Sequence, residues 1–207
     1  RNGSTWNQQQ KLTASDGTSN DYFGTSVSLY KDYALIGASL DDDNGSASGS
    51  AYIFKRNGST WNQQQKLTAS DGASNDYFGY SVSLYEDYAL IGVYDDDSSK
   101  GSAYIFKRNG STWIQQQKLT ANDGASSDRF GISVSIYKDY ALIGAYKDNT
   151  AQGSAYIFKR NGSTWTQQQK LTASDGASYD YFGFSVSLFE DYAVIGAYDN
   201  DDSAIAS

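Results

Sequence analysis

The chain contains 207 residues, and its 24 acidic side chains outnumber its 16 lysines and arginines, which gives a formal net charge of −8. It contains no histidine, cysteine, methionine or proline. These absences exclude a Ser-His-Asp triad, a Cys-His dyad, a disulfide framework and a zinc site with His or Cys ligands. The acidic balance argues against a nucleic-acid partner, and no transmembrane segment is expected, because no apolar run approaches the roughly 20 residues that a membrane helix needs.

Internal repetition is the dominant feature of the chain. The hexapeptide RNGSTW begins at residues 1, 56, 108 and 160, which divides the chain into repeats 1–55, 56–107, 108–159 and 160–207. The second and third repeats differ at 13 of 52 positions. The three additional residues of the first repeat fall in DDDNGSASGS (41–50). This stretch is predicted to be a loop, because an insertion inside a paired strand would reverse the faces of all later side chains.

Each repeat predicts four strands, as the second repeat illustrates in chain order. FGYSVSLY (78–85) alternates apolar and small residues with the period of two expected for a strand. YALIGV (88–93) is an unbroken apolar run, which is typical of a strand covered on both faces. An acidic loop then leads to GSAYIFKR (101–108). The Asn109-Gly110 pair predicts a type I′ hairpin turn into the amphipathic segment STWIQQQKLT (111–120).

This pattern predicts an all-β fold, since no segment shows the periodicity of a helix. Four antiparallel strands in a repeated unit of about 50 residues match the blade of a β-propeller. The FG strand is predicted to be innermost and the Trp- and Gln-containing strand outermost. On that basis residues 4–13 form an outer strand and SAIAS (203–207) is the stub of a third strand. The alternatives are a single ring of four blades closed by the N-terminal strand, a fragment of a longer repeat array, and two chains that form one larger ring.

The repeat resembles the FG-GAP repeat, which forms the blades of integrin α-subunit heads and of many bacterial and algal surface proteins. The FG half stands at Phe23-Gly24, Phe78-Gly79, Phe130-Gly131 and Phe182-Gly183. The GAP half corresponds to IGAS (36–39), IGVY (91–94), IGAY (143–146) and IGAY (195–198). The resemblance implies a non-enzymatic, extracellular or cell-surface protein for adhesion or structural assembly, with calcium and with protein or glycan ligands. The Pro of GAP and the Asp/Asn-rich calcium loop of integrin blades are both missing, so calcium is not expected at the integrin position.

The charges separate between the two ends of the predicted blades, because alternate loops of a meander emerge at opposite ends. The loops before the FG strands and after the GAP-like strands contain 18 acidic residues, opposed by Lys100, Arg129 and Lys147. We call this side the acidic end. The other side, the basic end, contains nine basic and six acidic residues. Four further lysines are assigned to the outer strands: Lys11, Lys66, Lys118 and Lys170.

The acidic end has three interpretations. Its residues are solvated turn formers, since Asp, Asn, Gly and Ser favour turns for backbone reasons. Alternatively, its DGxxxD pairs bind Ca²⁺, which takes oxygen ligands. Thirdly, the acidic end of one copy stacks on the basic end of another, a head-to-tail contact of the kind that builds filaments. The candidate calcium ligands are Asp16, Asp21, Asp71, Asp76, Asp123, Asp128, Asp175 and Asp180.

Three further sets of residues are candidates for function. The positions close before the FG motif are candidate ligand-binding residues: Tyr22, Tyr77, Arg129 and Tyr179. N-x-[ST] sequons, which also mark turns, are candidate glycosylation sites: Asn2, Asn44, Asn57, Asn109 and Asn161. The Trp of each repeat either packs the outer strand or forms the sugar platform of a lectin-like glycan-binding module, which is the alternative function. Catalysis by paired carboxylates is not expected, because flexible acidic loops lack the burial that raises the pKa of an acid.

Overall fold

A computed structural model describes residues 3–200 of the chain and confirms the all-β fold class. Three four-stranded antiparallel sheets and one two-stranded sheet make up four propeller-like blades, numbered here in chain order. Blade 1 contains β1 (Phe23–Tyr30), β2 (Tyr33–Ala38), β3 (Ser50–Asn57) and β4 (Thr60–Leu67). Blade 2 contains β5 (Ser81–Tyr85), β6 (Tyr88–Val93), β7 (Ser102–Asn109) and β8 (Thr112–Leu119). Blade 3 contains β9 (Phe130–Tyr137), β10 (Tyr140–Ala145), β11 (Ser154–Asn161) and β12 (Thr164–Leu171), and blade 4 contains β13 (Phe182–Phe189) and β14 (Tyr192–Ala197).

Each complete blade is a meander whose strand order follows the chain. The FG strands of successive blades lie against one another, which confirms that these strands are innermost. Their Gly and Ser residues leave the space that this close approach requires. The predicted strand boundaries agree with the structure to within a few residues. Among the strands that form, the largest difference is at β5, which begins at Ser81, three residues after the predicted start.

The hairpin between the third and fourth strands is confirmed, but its turn lies one residue later than predicted. Asn57 pairs with Thr60, so the two loop residues are Gly58 and Ser59. Gly58 has φ +62°, whereas Ser59 does not have a positive φ. A loop with Gly at the first central position follows the type II′ rule and not the type I′ rule. The predicted Asn-Gly turn is therefore a Gly-Ser turn.

Two one-turn segments interrupt the loops after the second strands of blades 2 and 3. These are α1 (Asp96–Ser99) and α2 (Asp148–Ala151). Each contains consecutive residues with positive φ, so the backbone makes a left-handed turn that non-Gly residues adopt only at a cost of about 1–2 kcal/mol each. The carbonyl groups of these turns receive hydrogen bonds from the next blade. Phe130 N donates to Lys100 O at 2.9 Å, and Phe182 N donates to Gln152 O at 3.0 Å.

The hydrophobic core lies between blades. Leu35 of blade 1 belongs to one buried cluster with Val82 and Leu84 of blade 2, and the equivalent residues of blades 2 and 3 form a second cluster. Trp113, which is 2% exposed, places its indole edge-on against the ring of Tyr33 in the preceding blade, with centroids 6.0 Å apart. Trp165 packs in the same way on Tyr88. For these two tryptophans the packing interpretation is correct and the sugar-platform interpretation is wrong.

Successive blades also meet through glycines. A Cβ atom on Gly92 would collide with the carbonyl oxygen of Gly131 in the next blade, and Gly37 and Gly144 make the same approach. Ser81 Oγ donates a hydrogen bond to that Gly131 oxygen at 2.8 Å. The FG motif and the GAP-like strand therefore fix the distance between neighbouring blades.

Within residues 3–200 the four blades do not close into a ring. Val27 on blade 1 and Val194 on blade 4 are 70% and 68% exposed, whereas their counterparts within the array are buried. The segment over 4–13 does not form the predicted strand beyond a single bridge at Thr5. It lies beside β4 of blade 1, where Gln10 exchanges hydrogen bonds of 2.8 Å with the backbone of Trp61. The proposed third-strand stub over 203–207 lies outside the described residues. Within residues 3–200 no helix is long and apolar enough to cross a membrane.

Candidate functional site

The acidic end contains a half-buried lysine in each complete blade. Lys118 reaches from the outer strand β8 into the acidic loops of its own blade and the blade junction. Its ammonium lies 2.7 Å from Asp71 Oδ2 and 2.6 Å from Asp96 Oδ2. Tyr104 donates a hydrogen bond of 2.8 Å to Asp71, and the lysine nitrogen lies 5.3 Å from the centre of the Tyr104 ring. We call this arrangement the lysine network.

The network recurs in the other complete blades. In blade 1, Lys66 contacts Asp16 and Asp41 at 2.9 Å each, and it also pairs with Asp43. In blade 3, Lys170 contacts Asp123 and Asp148 at 2.6 Å each. The fourth predicted acid, Asp175, has no lysine within ion-pair distance in the described part of the chain. The pattern of the repeats predicts these lysines on the outer strands and at neither end, whereas in the structure three of them lie at the acidic end.

The pKa values in the lysine network result from two opposed effects. Burial disfavours the charged forms, and the hydrogen bonds between the lysine, the acids and the tyrosine favour them. Burial lowers the pKa of Lys118, but hydrogen bonds to Asp71, Asp96 and Tyr104 outweigh it and raise the pKa above its usual value. Burial disfavours the charged form of Asp71, but the hydrogen bonds from Lys118 and Tyr104 hold the pKa of that carboxyl below its usual value. Both charged forms are therefore favoured at neutral pH.

The second acid of each DGxxxD pair has a different role. Asp76, Asp128 and Asp180 are buried and accept a backbone N–H from Ala73, Ala125 and Ala177 at 2.6–2.7 Å. Asp21 accepts the N–H of Thr18 at 2.5 Å in the same way. Each carboxylate closes its own loop, which is the turn-forming behaviour of Asp. Burial raises the pKa of Asp76 and Asp128 despite the backbone hydrogen bond.

The predicted calcium ligands therefore contact cationic and backbone donors. Asp16, Asp71 and Asp123 pair with lysines, and Asp21, Asp76, Asp128 and Asp180 bind backbone N–H groups. Among residues 3–200 no group of three or more acidic side chains is arranged to hold a metal ion. Calcium binding at these residues stays a prediction, and a cation there would have to displace a lysine or open a turn.

The basic end also contains internal ion pairs. Arg56 pairs with Asp32, Arg108 with Asp87 and Arg160 with Asp139. Arg108 additionally lies 4.8 Å from the centre of the Tyr33 ring in the preceding blade. Pairing at both ends reduces the free charge that each end presents. The arginine pairs join residues of the same end and leave its net charge unchanged, whereas Lys66, Lys118 and Lys170 add three positive charges to the acidic end.

Aromatic side chains gather at the inner rim of the acidic end. At the junction of blades 2 and 3, the rings of Tyr77 and Tyr94 stack with centroids 5.2 Å apart, and Tyr80 packs edge-on against Tyr94 at 4.5 Å. The Arg129 guanidinium lies 5.0 Å from the centre of the Tyr94 ring, and it pairs with Asp95 at 2.9 Å. Burial raises the pKa of Tyr94 to about 12. We call this set the rim cluster.

A second rim cluster lies at the junction of blades 3 and 4. Tyr146 contacts Tyr181 and Phe184 with centroids 5.6 and 5.5 Å apart, and Phe184 contacts Tyr198 at 4.8 Å. The positions of these rings differ between repeats to unequal degrees. The residue after the FG motif is Thr25, Tyr80, Ile132 or Phe184, whereas the residue that corresponds to Tyr94 is Tyr in three repeats and Ser39 in the first. The comparison of repeats provides a signal for these positions, because they vary within an otherwise uniform pattern.

The predicted ligand-binding residues need one correction. Tyr22, Tyr77 and Arg129 all adopt positive φ immediately before their FG motifs, with φ between 57° and 63°. The equivalent residue in blade 4 is Tyr181 (φ 57°), and not the predicted Tyr179, which stands two residues earlier. Neighbouring loops impose this backbone: Tyr77 N donates to Ala47 O at 3.1 Å and Tyr181 N to Ala151 O at 3.0 Å. Tyr22 and Tyr179 are exposed, and Arg129 is half-buried.

The described sequons are all accessible. Asn57, Asn109 and Asn161 lie exposed at the ends of β3, β7 and β11, on the basic end. Asn44 is exposed in the acidic loop of blade 1. Asn2 lies outside the described residues. Glycosylation at these positions stays a prediction.

Comparison with known proteins agrees with the sequence repeats, whose boundaries lie one strand earlier than those of the blades. A family model described as FG-GAP repeat matches residues 6–54, 61–106, 113–158 and 165–207. The four matches span nearly the whole chain, and each contains one FG motif and one GAP-like strand. A comparison with curated protein sequences gives no match.

Proposed function

Because the chain belongs to the FG-GAP repeat family, we propose that it is a non-enzymatic extracellular or cell-surface protein that serves in adhesion or in structural surface assembly. FG-GAP repeats are often found in adhesion proteins and are typical of extracellular and surface proteins. The rim clusters are the observation that supports a binding role. They place blade-specific aromatic and basic side chains on a frame that is otherwise nearly identical from blade to blade.

The polar groups of the acidic end favour a structural role over a catalytic one. Lysine, tyrosine and backbone donors form ion pairs or hydrogen bonds with the carboxylates of blades 1–3, as Lys118 and Tyr104 do with Asp71. Such pairing fixes charge in place. It does not present an acid and a base, with separated pKa values, to a common substrate. The proposal therefore assigns no reaction to this end.

The binding role is tested by removing rim aromatics from the intact chain. The double variant Tyr80→Ala/Tyr94→Ala is compared with wild type for binding to a panel of purified extracellular-matrix proteins. Loss of buried aromatic contact at an interface is expected to weaken binding by roughly tenfold or more. Tyr85→Ala is the matched control, because Tyr85 lies at the basic end in a similar tyrosine row with Tyr30 and Tyr137. Equal loss in both variants, or no binding by wild type, would contradict the proposal.

A lectin-like module is the second candidate, and the rim clusters support it better than the tryptophans do. Exposed Tyr22, Tyr179 and Tyr198 lie beside Asp-rich loops, and stacking aromatics next to polar groups suit sugar rings. A glycan array probed with wild type and with Tyr80→Ala/Tyr94→Ala separates the two candidates. Glycan binding that the double variant loses favours the lectin. Matrix-protein binding without any glycan signal favours protein adhesion.

Calcium dependence and end-to-end stacking complete the proposal and have separate tests. If the fold depends on calcium, EDTA is expected to lower the melting temperature and added Ca²⁺ to restore it. A melting temperature that EDTA does not change would contradict calcium dependence. Stacking of the acidic end on the basic end is expected to weaken with salt, because exposed charges are screened within about 10 Å at moderate ionic strength. Assemblies whose sedimentation does not change with salt would contradict the stacking.

A further inference from the structure

The junction between two blades has two complementary halves. The leading half, on the first two strands of a blade, presents a tyrosine and a leucine such as Tyr33 and Leu35, together with FG-strand serines such as Ser28. The trailing half, on the FG strand of the next blade, presents residues such as Val82 and Leu84. Within the array these residues are buried, with Val82 9% exposed. Each junction is thus a heterologous contact between two different surfaces.

Both halves stand open at the ends of the array. Blade 1 exposes a trailing half at Val27 and Leu29, which are 70% and 66% exposed. Blade 4 exposes a leading half at Tyr192 and Val194. The sequences of these open halves are nearly those of the internal ones. FGTSVSLY (23–30) differs from FGYSVSLY (78–85) at one position, and YAVIGA (192–197) differs from YALIGA (33–38) at one position.

The polar contacts of the junction show the same division. Ser83 Oγ accepts a hydrogen bond from Ile136 N at 3.1 Å, and Ser135 Oγ accepts one from Leu188 N at 2.9 Å. The next serine in this series is Ser187 on blade 4. Its counterpart donor is Leu29 N on blade 1, the equivalent of Leu84 N, which donates to Ser28 Oγ at 2.9 Å. Neither Ser187 Oγ nor Leu29 N makes this inter-blade bond within residues 3–200.

The glycines repeat the pattern. Gly144 of blade 3 faces the carbonyl oxygen of Gly183, to which Ser133 donates at 2.8 Å. Gly196 of blade 4 faces only its own Ser185, and Gly24 of blade 1 has open space around its Cβ position. The open ends therefore present the Ser and Gly groups of one further junction.

We propose that these two open halves bind each other between copies of this chain. The leading half on blade 4 of one copy docks on the trailing half on blade 1 of a second copy, in the register of the internal junctions. Ser185 then donates to Gly24 O, Ser187 accepts from Leu29 N, and Val194 covers Val27 and Leu29. The occupant is a second copy because the internal junctions show that this surface fits its own complement. The contact is heterologous, so it closes into a ring if the rotation per blade permits and otherwise extends the array.

The tyrosine row at the basic end supports the same register. Tyr30, Tyr85, Tyr137 and Phe189 follow one another across the four blades with centroids 4.9–5.1 Å apart. Phe189 is the last ring of the row and is exposed. In the proposed contact it meets Tyr30 of the second copy and continues the row. This association is apolar, and it does not depend on the stacking of charged ends or on any ligand.

The test uses two sets of variants that each block one end. Val27→Asp/Leu29→Asp blocks the trailing half, and Val194→Asp blocks the leading half. Wild type is expected to associate with rising concentration in analytical ultracentrifugation, at low and at high salt. Each blocked variant alone is expected to bind itself roughly a hundredfold or more weaker, because docking would bury an unpaired carboxylate. An equimolar mixture of the two variants retains one intact pair of halves and is expected to form a 1:1 complex.

Controls keep the outcomes distinct. Ile114→Asp changes an exposed apolar residue on the outer strand of blade 2 and should associate like wild type. Gly196→Ala serves in case Val194→Asp does not fold, since its added methyl group meets only a serine side chain within the chain but would meet Gly24 O of a second copy. A monomeric wild type at all concentrations, blocked variants that still associate, or a mixture that stays monomeric would each overturn the proposal. Association that high salt abolishes would assign the contact to the charged ends instead.

Discussion

Lys118 shows why the acidic end differs from an ordinary set of solvated turns. In the sequence it follows three glutamines on an amphipathic outer strand, where lysine is normally exposed. The side on which it lies depends on a bulge between Ile105 and Phe106, which shifts the pairing of β7 with β8 by one residue. A one-residue shift changes the face of every later side chain. The sequence does not encode that shift as a recognisable pattern, so the lysine network could not be predicted.

Replacement of Lys118 should destabilise the fold, because the carboxylates that it neutralises would lose their cationic partner. Lys118→Met keeps most of the side-chain volume but leaves Asp96 without its cationic partner in a buried position. We expect the free energy of unfolding to fall by about 2 kcal/mol at neutral pH. Lys100→Met is the control, because its pair with Asp97 is largely exposed and should contribute little. Denaturant unfolding of both variants measures the difference, and equal effects would contradict a structural role for the network.

The stability difference between wild type and Lys118→Met should depend on pH in a defined direction. The pKa of Asp71 is held below its usual value because Lys118 and Tyr104 outweigh burial. A depressed carboxyl pKa stabilises the folded state at pH above the unfolded pKa, roughly 3.9, and this contribution is lost as pH falls through the folded pKa. The gap between wild type and Lys118→Met should therefore be constant near neutral pH and narrow in strong acid. A gap that widens on acidification would contradict the assignment.

At the scale of elements, the strands were predictable because each has a distinct pattern. The alternation of small and apolar residues in SVSLY predicts β5, and the unbroken apolar run YALIGV predicts β6. The turns were less predictable. Asn57-Gly58 and Gly58-Ser59 are both plausible turns by composition, and the pairing of Asn57 with Thr60 selects the second. The rim clusters were predictable in part, as positions before the FG motif, but their stacking partners after the second strand, such as Tyr94, were not identified.

The close approach of neighbouring blades should make one glycine position intolerant of any side chain. Gly92→Ala places a methyl group against the carbonyl oxygen of Gly131, and we expect a loss of about 3 kcal/mol or more. Gly196→Ala is the matched control, because the same position in blade 4 meets only the movable side chain of Ser185. Thermal unfolding of the two variants measures the contrast. Similar melting temperatures would show that the backbone contact does not limit the junction.

The buried tryptophans should contribute more to stability than their exposed relative. Trp113→Ala removes an indole that is 2% exposed and packed on Tyr33, and we expect a cost of about 3–5 kcal/mol. Trp6→Ala changes a residue that is 79% exposed and should have almost no effect. Chemical denaturation followed by circular dichroism checks both values. A small effect of Trp113→Ala would mean that the blade junction rearranges to fill the space.

At the scale of the whole molecule, the sequence repeats predicted the propeller-like architecture. The alternation of loops between opposite ends of a meander predicted the acidic end and the basic end. Both depend only on the count and order of strands, which the repeats make plain. Ring closure was not predictable, because it depends on the rotation between blades. That rotation is set by contacts such as Gly37 against Gly79, which no single blade shows. The net charge of the acidic end was also only partly predictable, since Lys66, Lys118 and Lys170 extend from the outer strands into its loops.

Stability should vary along the array in the way expected for a chain of units that contact only their neighbours. Blade 4 shares one junction and leaves Tyr192 and Val194 exposed, whereas the equivalent Tyr88 and Leu90 of blade 2 are buried. In dilute solution, amide hydrogens of β14 should therefore exchange faster than those of β6. Hydrogen-exchange mass spectrometry measures both strands in one sample. Equal protection in dilute solution would contradict this order.

The Gly and Ser contacts between blades have a consequence for the gain and loss of repeats by recombination. Every junction uses the same groups, as Ser81 with Gly131 and Ser133 with Gly183 illustrate. Recombination between repeats that adds or deletes a whole blade would leave the remaining junctions chemically unchanged. A point mutation at Gly92 would damage one junction at once. A change in the number of blades is therefore expected to preserve the chemistry of the junctions, whereas a substitution of a junction glycine is not.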